Sequence, residues 1–221
     1  MERFAYILFD LDGTLTDPKI GITKSVQYAL KDLGVEEPDL DRLEPFIGPP
    51  LKDSFMEFYG FDEAQTQRAV AKYRERFEVT GIFENEIFPG IAQMLKTLKE
   101  RGKKVAIASS KPTELVERIL VHFSIRQYFD HVVGSESDGT RSRKEEVVEE
   151  ALRRMVPEAD IGKKVAMVGD RKFDIEGAKA FGLTGIGVSF GYAAEGELEA
   201  AGADYIADSV AELEELLCAE E

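Results

Sequence analysis

A chain of 221 residues, 43% apolar and 32% charged, is long enough to bury a full core and too rich in Phe, Leu, Ile and Val to be disordered. Its formal charge of −15 argues against nucleic acid or an anionic membrane as partner, because phosphate surfaces are held by clustered Lys and Arg. The one cysteine, Cys218, excludes an intrachain disulfide, and the first apolar run, residues 4–9, follows no cationic leader and is too short to span a bilayer; a cytoplasmic monomer or homodimer is expected.

In chain order, Tyr6-Ile7-Leu8-Phe9 is a short apolar run that stops at Asp10 and reads as a strand buried on both faces. From about Asp17 to Asn85 no comparable run occurs. That segment instead offers two helical faces: Ile22, Val26, Ala29, Leu30 and Leu33, then Ala69, Val70, Tyr73 and Phe77. From Phe88 onward helices and strands alternate. Helical faces appear at Ile91, Met94, Leu95 and Leu98, at Leu115, Ile119 and Leu120 after Pro112, and at Val147, Val148, Leu152 and Met155. Between and after them lie the apolar runs Val105–Ala108, His131–Val133, Val165–Val168, Thr184–Val188 and Asp204–Ala207. The expected architecture is α/β, a doubly wound parallel sheet formed by residues 1–16 and 86–221, with residues 17–85 inserted as a smaller all-helical domain suited to be a lid.

Three of the runs end in polar groups: Asp10 and Asp12 after the first, Ser109 and Ser110 after the second, Gly169, Asp170 and Asp174 after the fourth. Ligands of open parallel sheets bind at the carboxyl ends of strands, so these groups are expected to converge. Gathered acids raise one another's pKa values unless a cation joins them. A set of oxygen ligands without His or Cys favours magnesium (Mg2+), which leaves room for a phosphate oxygen and turns an acidic pocket into a phosphate site. A mere turn would explain Asp-x-Asp-Gly alone, but not its match with Gly-Asp-x-x-x-Asp some 160 residues later. His122 and His131 do not sit at these strand ends and are read as structural.

The stretch Asp10-Leu11-Asp12-Gly13-Thr14-Leu15 resembles the first signature of the haloacid dehalogenase superfamily. Ser109 resembles the second, Lys144 at a helix start the third, and Gly169-Asp170-Arg171-Lys172-Phe173-Asp174 the fourth, so that the likeness covers essentially the whole chain. It implies a magnesium-dependent phosphatase acting on a small phosphorylated metabolite. Asp10 would be the nucleophile and Asp12 the general acid and base. Asp170, with the Asp10 carboxylate and the Asp12 backbone carbonyl, would hold the metal, with Asp174 behind them. Lys144 and Ser109 would steady the phosphate, with Lys111 and Ser110 as further substrate contacts. Lys144, flanked by Arg141, Arg143, Glu145 and Glu146, also fits a solvated helix start. Ser110, often Asn in relatives, and Arg171, often a small hydroxyl residue, depart from the family pattern.

An aspartate at position 12 disfavours dehalogenation. The helical insertion resembles the first cap type of the superfamily, and Phe46-Ile47-Gly48-Pro49-Pro50-Leu51 resembles the substrate-facing loop of phosphoglycolate phosphatase-like members, making Ile47 and Gly48 candidate substrate contacts. That loop carries no arginine, which disfavours a sugar phosphomutase. Phosphoglycolate-like small acids stand first as substrates, a nucleotidase or pyrophosphatase next. A non-catalytic phosphate binder is disfavoured by the full hydrolytic set.

Overall fold

The apolar runs form one sheet because residues such as Ile7, Leu8 and Phe9, each fully buried, have no face to offer to water. The computed structural model describes residues 3–136, 140–162 and 164–220. In chain order the elements are β1 (Tyr6–Phe9), β2 (Thr16–Asp17), α1 (Lys19–Asp32), α2 (Leu51–Tyr59), α3 (Glu63–Phe77), β3 (Glu86–Ile87), α4 (Ile91–Glu100), β4 (Lys104–Pro112), α5 (Thr113–His122), β5 (His131–Ser135), α6 (Lys144–Met155), β6 (Val165–Gly169), α7 (Lys172–Ala180), β7 (Thr184–Val188), α8 (Glu197–Ala201), β8 (Tyr205–Ala207) and α9 (Val210–Cys218). The chain divides into two compact units, Met1–Thr16 with Ile87–Glu221, and Asp17–Glu86.

The larger unit holds a six-stranded sheet in the order β5-β4-β1-β6-β7-β8. All neighbours are parallel: Leu8 in the centre faces Ala106 of β4 on one side and Met167 of β6 on the other. Leu8, Met167, Val147, Val148, Ala151 and Leu152 share one buried cluster, so the inner face of α6 closes that side of the sheet. The chain winds outward from β1 through β4 to β5, then returns to β6 and winds the other way. The reversal lies between β1 and β6, and the crevice beyond their carboxyl ends is where such folds bind ligands.

The helical unit has its own core. The buried face of α1 is Ile22, Val26, Ala29 and Leu30, and that of α3 is Ala69, Tyr73 and Phe77, as the periodicity of those residues predicts. The structure adds α2, to which the sequence reading assigned no helix. It begins directly after Pro49-Pro50 and ends at Gly60, whose φ of 65° suits a left-handed helix cap, and it buries Phe55 against Phe46 with ring centroids 4.9 Å apart. A nine-residue helix with one fully buried aromatic has too short a periodic pattern to stand out.

Candidate active site

Asp10 is the first residue past β1, and its N–H still donates to Val168 O at 2.9 Å, so the last rung of the ladder fixes its backbone. The chain then turns sharply: Leu11 O accepts from the N–H groups of Leu15 and Thr16, and Gly13 N–H donates to Thr16 O at 2.8 Å. Gly13 is required twice over. Its φ is 80°, and a Cβ there would stand 2.1 Å from Asp170 Oδ2.

On the neighbouring strand, β6 ends in Gly169, where a Cβ would meet Asp174 Cγ at 2.1 Å, so glycine lets the first turn of α7 fold back on the strand end. Asp174 accepts from Arg171 N–H at 3.0 Å, anchoring that turn. Asp170 accepts from Tyr192 N–H at 2.8 Å and from Thr14 Oγ1 at 3.3 Å. Asp10, Asp170 and Asp174 thereby come together, each offering a carboxylate oxygen, with all of these atoms within 4.8 Å of one another. All three are buried.

Lys144, the first residue of α6, is 6% exposed and reaches into this group. Its Nζ lies 2.9 Å from Asp10 Oδ1 and 2.7 Å from Asp174 Oδ1, while it donates a hydrogen bond to Ala108 O at 3.1 Å. Asp10 Oδ1 and Asp174 Oδ1 are both buried, with this ammonium as their shared charged partner. The alternative reading of Lys144 as a solvated helix start is overturned by this burial. Its stem packs where Gly177 has no side chain: a Cβ at that position would approach Lys144 Cγ to 2.9 Å.

Asp12 is drawn to a second cation, with Lys111 Nζ 2.6 Å from its Oδ2. Asp12 Oδ1 is buried with no hydrogen bond among the described residues. The residues around Lys111 are irregular: β4 pairs with β5 at Ala108 and again at Pro112, with a register shift between. Within that irregularity lie buried Ser109, half-buried Ser110 and Lys111, and Lys111 N–H makes a long 3.4 Å bond to Ser109 Oγ. Ile47 and Gly48 belong to the helical unit, Ile47 fully buried after a 3-10 turn at Asp41–Phe46 and Gly48 with φ 106°.

Burial, followed by the charges of Asp174 and Asp10, pushes the Asp170 carboxyl well above the ordinary carboxylate range, and the bond from Tyr192 N–H only partly opposes this. Asp174 is raised by burial against the pull of Lys144. Asp12 is raised by burial against that of Lys111. Lys144 would be lowered by burial, but the charges of Asp10 and Asp174 outweigh that and hold it protonated.

When ionised, three carboxylates and one ammonium carry a net charge of −2 in a buried space. A divalent cation matches that charge, and converging buried carboxylate oxygens are the ligands a hard ion takes. The residues present therefore fit a magnesium-like ion.

The sequence reading missed the contribution of Thr14 and of the Tyr192 backbone, although Thr14 belongs to the motif after β1. Tyr192 follows Gly191, and a glycine soon after a strand is the available hint that backbone approaches something closely there.

A family model for haloacid dehalogenase-like hydrolases matches residues 7–188. A Pseudomonas aeruginosa protein named 5'-nucleotidase is 50% identical over 198 residues, covering 90% of this chain and 88% of its own. A phosphoglycolate phosphatase of Aquifex aeolicus is 32% identical over 194 residues, 84% of this chain and 85% of its own. The crystal structure of a predicted phosphatase from Clostridium acetobutylicum superposes with a TM-score of 0.92 at 45% identity, covering 97% of this chain and 98% of the other.

Proposed function

The chain belongs to the haloacid dehalogenase-like hydrolase family, as a phosphatase, and from that premise we propose that it is magnesium-dependent and hydrolyses a small phosphate monoester through a phosphorylated Asp10. The observation that carries this reading is the buried group of Asp10, Asp170 and Asp174 around Lys144, at the point where the sheet reverses its winding.

Asp10, Asp170 and the backbone carbonyl of Asp12 would hold the ion, with Asp174 steadied by Lys144 and Arg171 N–H behind them. Bound there, magnesium would supply positive charge to phosphate oxygens and offset the burial, and after it the neighbouring charges, that raise Asp170. A carboxylate oxygen of Asp10 attacks phosphorus as the ester P–O bond breaks. Asp12, whose carboxyl burial keeps inclined to hold a proton, gives that proton to the leaving oxygen. Asp12, now ionised, takes a proton from the water that attacks phosphorus. The Asp10–phosphorus bond breaks, releasing free phosphate and returning Asp10 as a carboxylate and Asp12 as the protonated acid. Lys144 lies against Asp10 and neutralises charge that builds on the transferring group; Ser109 adds a hydroxyl from β4, the strand paired with β1.

The helical unit, Asp17–Glu86, serves in this reading as the cap that selects the alcohol part of the ester; Gly48 stays a candidate contact, whereas full burial leaves the Ile47 side chain no surface to offer a substrate. Likeness at 50% identity to a protein named 5'-nucleotidase supports nucleoside monophosphates as candidate substrates beside the phosphoglycolate-like acids that stood first in the sequence. Among the described residues no helix is long and apolar enough to cross a membrane.

The test is phosphate release from nucleoside monophosphates, phosphoglycolate, sugar phosphates and pyrophosphate, with magnesium and with chelator. Release that needs magnesium and is lost in Asp10→Asn supports the proposal. Release that persists in that variant, or under chelator, refutes it.

A further inference from the structure

Beyond the reacting groups, one carboxylate ties together the two loops that surround Asp170. Glu197, the first residue of α8, accepts at Oε1 from Arg171 Nε and from Lys172 N–H, each at 2.9 Å. At Oε2 it accepts from Ala194 N–H at 3.2 Å and from Arg171 Nη2 at 3.4 Å. Both side chains are largely sheltered, Glu197 at 12% exposure and Arg171 at 14%. Burial alone would raise the Glu197 carboxyl, but the Arg171 bond and the two backbone N–H groups override it and hold the group below its usual range, ionised.

The two loops are not arbitrary. Arg171 and Lys172 directly follow Asp170 and open α7, while Ala194 belongs to the segment between β7 and α8 that also supplies Tyr192 N–H to Asp170 Oδ2. Gly191 in that segment lies so near that a Cβ would stand 2.3 Å from Asp170 Cβ and 2.4 Å from Gly13 O. The segment is therefore a wall against which Asp170 rests. A five-residue helix cannot hold such a wall by itself.

We propose that Glu197 is a positioning residue for Asp170: by clamping Arg171 and Lys172 to Ala194, it keeps Tyr192 N–H and Gly191 against the carboxylate and fixes the orientation in which Asp170 meets its cation. The inference rests on the proposed cation site. Outlying partners that orient a metal ligand are typically worth about 10–100-fold in metal affinity, and a clamp acting through a loop falls at the lower end, roughly tenfold.

Magnesium binding to the metal-free full chain, measured by titration calorimetry without substrate, separates the outcomes. Glu197→Ala is expected to bind magnesium roughly tenfold more weakly than wild type, and Glu197→Gln, which keeps an acceptor but loses the charge facing Arg171, to fall between them. In activity assays the loss should appear as a higher magnesium requirement, with kcat regained at saturating magnesium. Wild-type affinity in a Glu197→Gln protein that melts like wild type overturns the clamp alone. So does a loss of kcat that excess magnesium does not restore. A wild-type protein that binds no magnesium overturns the cation site itself, and the clamp's role with it.

Discussion

Replacing Lys144 by methionine removes an ammonium that touches both Asp10 and Asp174 while keeping most of the buried stem. Breaking a buried pair by deleting one partner typically costs about 3–5 kcal/mol. Here the cost has a ceiling, because a carboxylate of the group can take up a proton instead. Holding an ordinary carboxyl of pKa about 3.9 protonated at pH 7 costs about 4 kcal/mol, and at pH 5 about 1.5 kcal/mol. The sign follows from linkage: the variant's carboxyl has a raised folded-state pKa, so the penalty is full above that raised value, shrinks as pH falls below it and vanishes below the unfolded pKa. For a chain of this size about 4 kcal/mol corresponds to a drop in Tm of roughly 8–16 °C. Thermal unfolding of wild type and Lys144→Met in chelator, at pH 7 and pH 5, reads both quantities. A deficit that shrinks by more than half at pH 5 bears out the charge argument. A deficit equal at both pH values would assign the loss to packing and refute it.

Gly191→Ala puts a Cβ 2.3 Å from the Cβ of Asp170, so the segment must lift and Tyr192 N–H leaves the carboxylate. Overpacking of this kind costs about 1–3 kcal/mol, and phosphate release should fall at least tenfold at limiting magnesium. Wild-type turnover would show that the wall does not matter. Far from the site, Asp130 accepts from Lys99 Nζ at 2.6 Å and Val105 N–H at 2.9 Å; burial alone would raise its carboxyl, but these bonds hold it below the ordinary range. Its contribution is present above the unfolded pKa and lost as pH falls through the lowered one. Asp130→Asn is thus expected to cost about 1–2 kcal/mol in urea unfolding at neutral pH. The cost should fade in acid, and a deficit that grows there would contradict the assignment.

The sheet was legible because its central strands β1, β4 and β6 are continuous apolar runs that end abruptly in Asp, Ser or Gly, and such endings mark where a parallel strand leaves the core. Asp10, Asp170 and Asp174 were legible for the same reason, since the residue after the last buried position of β1 or β6 has few places to go. Lys144 needed more than pattern. Among Arg141, Arg143, Glu145 and Glu146 it resembles any charged helix start, and only the empty space at Gly177 and the carbonyl of Ala108 let its amine reach inward. Backbone donors such as Tyr192 N–H carry no side-chain signature. The Lys111–Asp12 pair depends on the register shift in β4, which no local spacing announces. Glu197, one glutamate in an acidic stretch with Glu195 and Glu199, differs from them through contacts that close only in the folded chain.

The central claim is that Asp10 is phosphorylated during turnover. The Asp12→Asn variant given p-nitrophenyl phosphate isolates that step, since nitrophenolate leaves without a donated proton whereas water attack still lacks its base. After turnover in magnesium, borohydride reduction converts an aspartyl-phosphate to homoserine, which peptide mass spectrometry locates. Homoserine is expected at position 10, and only when magnesium is present. Nitrophenolate release with no modification of residue 10, or with the modification on another carboxylate, would contradict the claim.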